Sequence, residues 1–353
     1  MRILLLSPLP PYRGGIAQFG GMLLKELTRR NPDTIGINYS KLYPGPLFPG
    51  KSQLEEGSIP PEGLLHGYNP VKWATARGKI RMLEPDLIIS QWWHPFFAPC
   101  LRASTPRGIR RAAVCHNILP HENTPMADIL SRGFLAGQDL LAVHSAGAEN
   151  RARRISDNVI RLFHPIYDQY RGTGLPRAEA RAELGLREHH TALLFFGLVR
   201  EYKGLDILIK ACEGLPKNFR IIAAGENYTG THYSSDRMHW ENRFIPDGEV
   251  GTWFNASDVV VLPYRTATQS GVAQIAMAFG KPLVVTPAGG LPEVVDQGVT
   301  GCIAGEITPE SLAGAILECS TLVNSEDTGE RIREKARGYS WETYVSRLLE
   351  AAE

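Results

Sequence analysis

The sequence predicts an α/β protein of two domains, each built around a parallel β-sheet. The chain has 353 residues, which exceeds the usual size of a single domain. Short apolar runs rich in β-branched residues alternate with stretches in which apolar residues have helical spacing, and this alternation is typical of parallel sheets. With 43% hydrophobic residues, the chain can fill two ordinary cores.

The N-terminal half is predicted to begin with a buried strand at residues 3–7, followed by a helix over residues 16–30. Three further buried strands are predicted at residues 87–90, 111–115 and 140–144. Residues 41–70 are rich in Pro and Gly and have weak periodicity, so we assign them to a long, partly irregular insertion. Such insertions in enzymes are often functional.

The C-terminal half is predicted to start after residues 164–175, whose Pro and Gly signals without periodicity are consistent with an interdomain linker. The strands predicted after this linker cover residues 192–196, 219–224, 243–245, 259–262 and 283–286, and the helices cover residues 204–213 and 272–279. Residues 340–352 begin with Ser340 and have apolar residues at helical spacing, which predicts a terminal amphipathic helix.

Composition constrains the compartment and the partners. The five cysteines form no C-x-x-C pair, which argues against a disulfide framework or a zinc site and for a reducing compartment. The apolar run at the N-terminus is too short for a signal peptide or a membrane span. Residues 1–165 carry 20 Lys and Arg against 12 Asp and Glu, a net charge of +8, whereas residues 166–353 carry 18 against 25, a net charge of −7. The basic half suggests an anionic partner, unless solvated charges are distributed unevenly by chance.

Two small-residue turns indicate the ligand. Gln269-Ser270-Gly271 lies between a predicted strand and a predicted helix, so backbone N–H groups and a positive helix end are directed at whatever binds there. The expected guest is a phosphate. A second such turn, over residues 288–293, follows the next strand. Two anion-receptive turns on successive strands suggest a nucleoside diphosphate, and hence a sugar nucleotide.

These motifs resemble the donor-binding region of the GT-B glycosyltransferases, in particular retaining family 4 (glycosyltransferase group 1). The resemblance is carried by the A-M-A-x-G-x-P run at residues 276–282 and the G-G-L-P-E run at residues 289–293. It extends along nearly the whole chain, through residues 10–17, 114–117, 195–211, 244–257 and 339–341.

The resemblance implies the GT-B fold, with two Rossmann-like doubly wound domains, a cleft between them and a last helix that crosses back onto the first domain. It places an acceptor-binding domain at residues 1–165, a nucleotide-sugar-binding domain at residues 166–338 and the returning helix at residues 339–353. The implied activity is transfer of a sugar from a nucleoside diphosphate to an acceptor hydroxyl with retention, in polysaccharide, glycolipid or glycoconjugate synthesis. No metal or other cofactor is implied, and the sequence has no D-x-D site.

Three side chains are expected to act in catalysis. Arg200 and Lys203 follow a predicted strand at the edge where α/β folds bind ligands, and they could neutralise the leaving β-phosphate or form a solvated loop pair. His116 matches the family's histidine and is expected to bond the 6-hydroxyl of the sugar or the reacting centre, although a lone histidine is more often structural. The expected donor-binding residues are Gly14, Gly15, Phe244, Gln269, Ser270, Gly271, Val272, Gly290 and Glu293.

The chain departs from the family pattern at two places. The family's pair of glutamates aligns with Ala267 and Ile275, so both carboxylates are absent. A subgroup with T-Q-S-G-V at this place has the same departure, which implies a variant active site in which Gln269 substitutes as a neutral hydrogen-bonding group. Many relatives also place an arginine directly after the glycine that matches Gly197, where this chain has Leu198.

Trp92, Trp93 and His121 are expected to line an acceptor pocket, or else the two tryptophans belong to the core. The basic first half predicts an anionic or lipid-linked acceptor at the cytoplasmic face of the membrane, with the enzyme bound peripherally to anionic lipid. No nucleic-acid partner is expected. The alternatives are a sugar-nucleotide epimerase or a phosphorylase on the same fold, and a non-catalytic sugar-nucleotide-binding partner in a polysaccharide assembly complex.

Overall fold

The computed structural model describes residues 1–44, 52–55, 57–118, 125–323 and 327–353. The chain divides into unit 1, which comprises Met1–Phe163 and Trp341–Glu353, and unit 2, which is His164–Ser340. Each unit contains a six-stranded sheet in which neighbouring strands are parallel. The predicted α/β class with two Rossmann-like parallel sheets is therefore confirmed.

Unit 1 has one large sheet and one small sheet. The strands of the large sheet are β1 (Ile3–Leu6), β2 (Thr34–Ile37), β5 (Leu87–Trp92), β6 (Arg110–Cys115), β7 (Leu140–Val143) and β8 (Val159–Arg161). Between β2 and β5, the strands β3 (Tyr39–Lys41) and β4 (Leu65–His66) pair with each other in a two-stranded sheet. The helices are α1 (Gly15–Arg30), α2 (Pro70–Met82), α3 (Ala98–Ser104), α4 (Pro125–Leu135) and α5 (Ala146–Ala152).

The large sheet of unit 1 has the order β2-β1-β5-β6-β7-β8. Strands β1, β5 and β7 are buried along their whole length, because apolar helices cover both faces of a doubly wound sheet. The predicted strands at residues 3–7, 87–90, 111–115 and 140–144 match β1, β5, β6 and β7 to within two residues at each end. The sequence analysis did not predict β2 and β8, which have four and three residues, are only partly buried and carry a weak signal.

Unit 2 has a sheet with the order β11-β10-β9-β12-β13-β14. Its strands are β9 (Thr191–Phe196), β10 (Phe219–Ala224), β11 (Met238–Glu241), β12 (Val259–Leu262), β13 (Leu283–Val285) and β14 (Gly301–Ile303). Its helices are α6 (Arg177–Glu183), α7 (Leu205–Glu213), α8 (Val250–Ala256), α9 (Gly271–Ala278), α10 (Pro309–Val323) and α11 (Thr328–Arg337). This strand order is that of a dinucleotide-binding Rossmann sheet.

The strand predicted at residues 243–245 is wrong. The edge strand is β11, which pairs in parallel with β10, and residues 243–245 form the loop that follows it. In this loop the guanidinium of Arg243 forms ion pairs with Glu241 and Glu249, and Pro246 has no N–H to extend a ladder. The two apolar residues at 244 and 245 have strand-like composition, but they do not pair with a neighbouring strand.

Residues 164–175, predicted to be a linker, are packed into unit 2. They contain a short 3₁₀ turn at Asp168–Tyr170, and the side chains of Tyr167 and Tyr170 are buried. Thr173 accepts a hydrogen bond from the backbone N–H of Gly251 at 3.1 Å, which ties this segment to α8. The aromatic side chains supply burial that the Pro and Gly signals did not indicate.

The predicted terminal helix is α12 (Trp341–Ala352), which packs within unit 1. The rings of Trp341 and Tyr344 lie edge-on to Phe19 of α1, with centroids 4.9 and 5.8 Å away. The hydroxyl of Tyr344 is hydrogen-bonded to Nε2 of the buried His144 at 2.9 Å. No helix in the described part of the chain is both long and apolar enough to cross a bilayer.

Candidate functional site

The topology of the unit 2 sheet defines where a ligand is expected. The chain reverses its direction of winding between β9 and β12, and α/β sheets bind ligands at the carboxyl ends of the strands beside such a point. After β9 the chain turns at Gly197, which has φ of 90°. The loop after β10 approaches so closely that a Cβ on Gly225 would lie 2.1 Å from the carbonyl oxygen of Gly197. The loops after β9 and β10 are therefore in close backbone contact at this end of the sheet, and position 225 has no room for a side chain.

Lys203 is the principal charged group at this edge. It ends a 3₁₀ turn, and Gly204, with φ of 66°, starts α7 in close contact with the carbonyl oxygen of Pro263. The ammonium of Lys203 lies 5.7 Å from the centroid of the Tyr264 ring. It is also 3.1 Å from where a Cβ on Gly197 would be. These contacts direct the lysine across the ends of β9 and β12.

The ammonium of Lys203 makes no hydrogen bond and no ion pair within the described residues. Burial, and in second place the positive charge of Arg200, lower its pKa from 10.5 to about 8. A partly buried cation without a counter-charge is unfavourable in the folded protein. Its position is explained if the group that completes it is a bound anion.

Arg200 begins the same turn and is exposed. Its guanidinium lies 5.3 Å from the ring centroid of Tyr228, in the loop after β10. The structure thus places both predicted cations at the carboxyl edge of β9, with their charges close enough for Arg200 to affect the pKa of Lys203.

The turn between β12 and α9 is held by its neighbours. The hydroxyl oxygens of Ser270 and Tyr264 are 3.3 Å apart, and Ser270 is buried. A Cβ on Gly271 would lie 3.3 Å from the ring of Tyr167, so the glycine lets the turn pack on that ring. Gly271 and Val272 lie in the first turn of α9, where backbone N–H groups have no intrahelical acceptor. These N–H groups can bind an anion.

The second turn follows β13 and touches the first. Gly289 has φ of 53°, and a Cβ there would lie 1.6 Å from the carbonyl oxygen of Ala267. The amide of Gln269 donates to the carbonyl oxygen of Gly290 at 3.4 Å. Gln269 therefore connects the two predicted turns through its side chain. Glu293 is exposed on a 3₁₀ turn at Pro292–Val294.

The positions of the absent glutamates are not equivalent. Ala267 contributes its backbone to the contact with Gly289, whereas the side chain of Ile275 is 7% exposed and packs in α9. Beside it, Gln274 is fully buried, and neither of its amide atoms has a hydrogen-bond partner in the described part of the chain. The sequence analysis missed Gln274, although it is the single polar side chain within the apolar α9 sequence. Phe244 is partly buried in the loop after β11.

In unit 1 the corresponding reversal lies between β1 and β5. Gly14 precedes α1 with φ of 100°, and a Cβ on Gly14 or Gly15 would meet nothing within 4 Å. The N-terminus of a 16-residue helix is thus open on this side, and its first turn has no acidic residue. A glycine is required at position 14 by its conformation, and the open space leaves the backbone accessible.

His116 follows β6 and is oriented by a relay that the sequence analysis missed. Ser7 donates its hydroxyl proton to the carbonyl oxygen of Pro8, so its Oγ accepts from Nε2 of Gln91. The other amide atom of Gln91, Oε1, is then an acceptor 2.6 Å from Nε2 of His116. His116 consequently has its proton on Nε2, and the edge of its ring packs on Phe19 at 4.7 Å.

The expected acceptor residues are separated in the structure. Trp92 belongs to the core, since it is 1% exposed and stacks on Phe134 at 4.7 Å, so the expectation that it lines a pocket is corrected. Trp93 is partly buried, and its indole N–H donates to the hydroxyl of Tyr43 at 3.1 Å. Trp92 is the last residue of β5, and Trp93 follows the strand. His121 lies outside the described residues.

Within the described ranges, no three His, Cys, Asp or Glu side chains are grouped as a metal site would require. The five cysteines are unpaired and buried.

Residues 190–321 match the family described as Glycosyl transferases group 1. A D-inositol 3-phosphate glycosyltransferase of Corynebacterium glutamicum is 29% identical over 243 residues, which are 63% of this chain and 53% of that protein. The match therefore spans about half the length of that relative.

Two solved structures share the fold over the full chain. Sucrose-phosphate synthase from Thermosynechococcus elongatus superposes with a TM-score of 0.76 at 18% identity, and the match covers 100% of each chain. A protein of Anabaena crystallised in complex with UDP superposes with a TM-score of 0.71 at 18% identity, covering 99% of each chain. At these identities the likeness identifies the fold of both units.

Proposed function

We propose that this chain, whose residues 190–321 match the family described as Glycosyl transferases group 1, transfers a sugar from a nucleoside diphosphate to an acceptor hydroxyl with retention of configuration. Unit 2 binds the donor, and unit 1 binds the acceptor. The product belongs to a polysaccharide, a glycolipid or another glycoconjugate. That the Anabaena neighbour was crystallised with UDP supports a uridine nucleotide as the first donor to test.

The observation that carries the proposal is the Lys203 ammonium. It is a partly buried cation without a partner in the described residues, at the carboxyl ends of β9 and β12. The N-terminus of α9 and the turn at Gly289 and Gly290 lie after β12 and β13. A diphosphate supplies two negative groups, one for the helix end and one for the lysine.

In the reaction, the bond between the sugar C1 and the β-phosphate oxygen breaks while the acceptor oxygen bonds to C1 on the same face. The leaving phosphate takes the acceptor proton, so no protein nucleophile is needed. Negative charge grows on the β-phosphate as the bond breaks, and Lys203 with Arg200 meets that charge. These two cations do the work that a metal ion performs in other transferases, so no cofactor is required.

His116 binds a sugar hydroxyl or the reacting centre. Its Nε2–H donates to Oε1 of Gln91, which fixes the orientation of the ring. Gln91 is a positioning residue because it acts through His116. Gln269 replaces the first lost glutamate as a neutral hydrogen-bonding group for the donor sugar.

The acceptor is anionic or lipid-linked, and the enzyme works at the cytoplasmic face of the membrane through peripheral contact. The net charge of +8 on residues 1–165 supports this part of the proposal. Trp93, at the carboxyl end of β5, contributes an aromatic face near the acceptor.

A second candidate is a sugar-nucleotide-binding protein without turnover. The residues at the two glutamate positions favour it, because Ala267 and Ile275 have no group that can bond a sugar hydroxyl through its side chain.

Titration calorimetry with UDP, GDP and ADP, followed by a transfer and donor-hydrolysis assay with the matching sugar nucleotides, tests the proposal. We expect one of the three nucleoside diphosphates to bind. The protein should then release that same nucleoside diphosphate from the matching sugar nucleotide. Replacing Lys203 by Met should lower turnover by roughly 10²-fold to 10³-fold, more than it lowers donor affinity. Binding without turnover in the unmodified protein would refute the transferase and support the second candidate. Absence of nucleotide binding would refute both.

A further inference from the structure

Unit 1 contains a cavity of about 180 Å³ whose described lining has four arginines and no carboxylate. The arginines come from separate elements: Arg77 from α2, Arg102 from α3, Arg107 from the loop before β6, and Arg111 from β6 itself. The C-terminal end of α4 forms the remaining wall. Four elements of the fold thus bring positive side chains to one place.

The cavity lies at the amino ends of the strands of unit 1, whereas the candidate functional residues of this unit lie at the carboxyl ends. Arg111 is the second residue of β6, whereas His116 follows its last residue. At about 3.3 Å per residue, the two are separated by roughly 17 Å along the strand. The cavity is therefore a separate feature of unit 1, at the amino ends of its strands.

The charge in this cavity is not balanced by the protein. None of the four arginine side chains forms an ion pair with a carboxylate of the described residues. Nε of Arg111 is buried and has no hydrogen-bond partner there. Nearby carboxylates are engaged elsewhere, since Asp139 accepts from the backbone N–H of Arg111 and Asp128 pairs with Arg132. A buried donor without an acceptor is costly, and a ligand with oxygen acceptors removes that cost.

One wall of the cavity is adapted to hold an arginine. Gly133 lies in α4, where glycine is less favourable than alanine by about 1 kcal/mol. A Cβ at this position would lie 2.9 Å from Nη1 of Arg102. The glycine therefore leaves the space that the guanidinium of Arg102 occupies beside the helix.

We propose that this arginine cavity binds a phosphate group, as a phosphomonoester or a diphosphate. Arginine is the side chain that suits phosphate best, because its planar fork donates two parallel hydrogen bonds to phosphate oxygens. The cavity has space for such a group but not for a whole nucleotide sugar. The phosphate comes from a soluble compound or from a lipid headgroup, and the experiment below separates these sources.

The test is calorimetric titration of the full-length protein with pyrophosphate, at constant ionic strength and with chloride as the reference anion. The variant is Arg102→Gln with Arg107→Gln, two exposed side chains whose loss leaves the core intact. The matched control is Arg151→Gln with Arg154→Gln, which removes the same charge from exposed positions of unit 1 away from the cavity. All three proteins also carry Lys203→Met, which reduces the positive charge of the proposed donor site equally in each of them, so that a difference between them reports the cavity.

We expect the cavity variant to bind pyrophosphate with an affinity at least about tenfold lower than that of the control. A second variant, Gly133→Ala, should weaken binding in the same direction because it displaces Arg102. Vesicles of phosphatidylcholine with and without phosphatidic acid separate the sources. Cavity-dependent binding to phosphatidate vesicles identifies a lipid headgroup, and cavity-dependent binding of pyrophosphate alone identifies a soluble ligand.

Equal affinity of the cavity variant and the control for pyrophosphate and for phosphatidate vesicles would overturn the proposal. So would binding of neither probe above the chloride reference. These outcomes leave the proposed transferase activity unaffected, because that activity is measured on the protein with Lys203 in place.

Discussion

Replacing Lys203 by methionine should stabilise unit 2 while it lowers turnover. The pKa of Lys203 is lowered from 10.5 to about 8, so the folded protein holds the ammonium at a cost. Because the folded-state pKa lies below the unfolded one, this cost is fully present at pH values below 8. It disappears as the pH rises through the interval from 8 to 10.5. Proton linkage with these two pKa values gives a cost of about 3 kcal/mol at pH 7 and about 1 kcal/mol at pH 9.5.

Methionine keeps the length of the side chain without the charge, so the variant should gain free energy of unfolding at pH 7 and gain less at pH 9.5. Urea unfolding followed by tryptophan fluorescence measures this gain, and both pH values are needed to separate charge from packing. Lys281→Met is the control. Its pKa is also lowered to about 8, first by burial, but its ammonium donates to the carbonyl oxygen of Ser257 at 2.7 Å. Losing that bond costs about 1–3 kcal/mol, so the net gain should be smaller.

The two variants should differ completely in function. Lys281 is bonded to Ser257, before the start of β12, whereas Lys203 lies at the carboxyl edge of the sheet. Lys281→Met should therefore retain nucleotide binding and turnover. A Lys203→Met protein that is less stable than the parent at both pH values, or whose stability difference is independent of pH, would refute the account of Lys203 as an uncompensated cation.

Two further predictions concern backbone geometry and ring orientation. Gly289→Ala should abolish donor binding and destabilise unit 2, since its Cβ would lie 1.6 Å from the carbonyl oxygen of Ala267. The control is Gly298→Ala, where φ is 72° and a Cβ would meet nothing within 4 Å. This change should lower the free energy of unfolding by only about 1–2 kcal/mol and retain donor binding. If calorimetry shows equal loss of donor binding in the two variants, the contact between Gly289 and Ala267 is not the cause. Gln91→Leu should lower kcat and change its pH profile by releasing the Nε2–H of His116, with Gln91→Glu restoring an acceptor there. An unchanged profile in Gln91→Leu would exclude the relay.

The local pattern of the sequence was sufficient for the central strands of both sheets and for the two turns that follow β12 and β13. Strands such as β1, β7 and β12 are continuous apolar runs, because both faces of each strand are covered. A glycine with positive φ next to such a run also has a local cause, so the turn at Gly289 and Gly290 was recognisable without the structure. The alternation of these signals sufficed for the fold class.

The roles of the buried polar and charged side chains depend on contacts between distant parts of the chain, so the sequence did not reveal them. Gln91 acts on a histidine 25 residues away, and the pKa of Lys203 follows from its burial at the sheet edge. The burial of Trp92 and the exposure of part of Trp93 are opposite outcomes for the same residue type at adjacent positions. No local pattern distinguishes them.

The arginine cavity shows the same division. Its four arginines, Arg77, Arg102, Arg107 and Arg111, belong to separate segments of the sequence. Only the packing of α2, α3, α4 and β6 brings them to one cavity, where Gly133 leaves space beside the guanidinium of Arg102. Composition and periodicity report which residues are buried, because burial has a period along the chain. The pairing of charges across the fold has no such period, so the tertiary structure alone decided it.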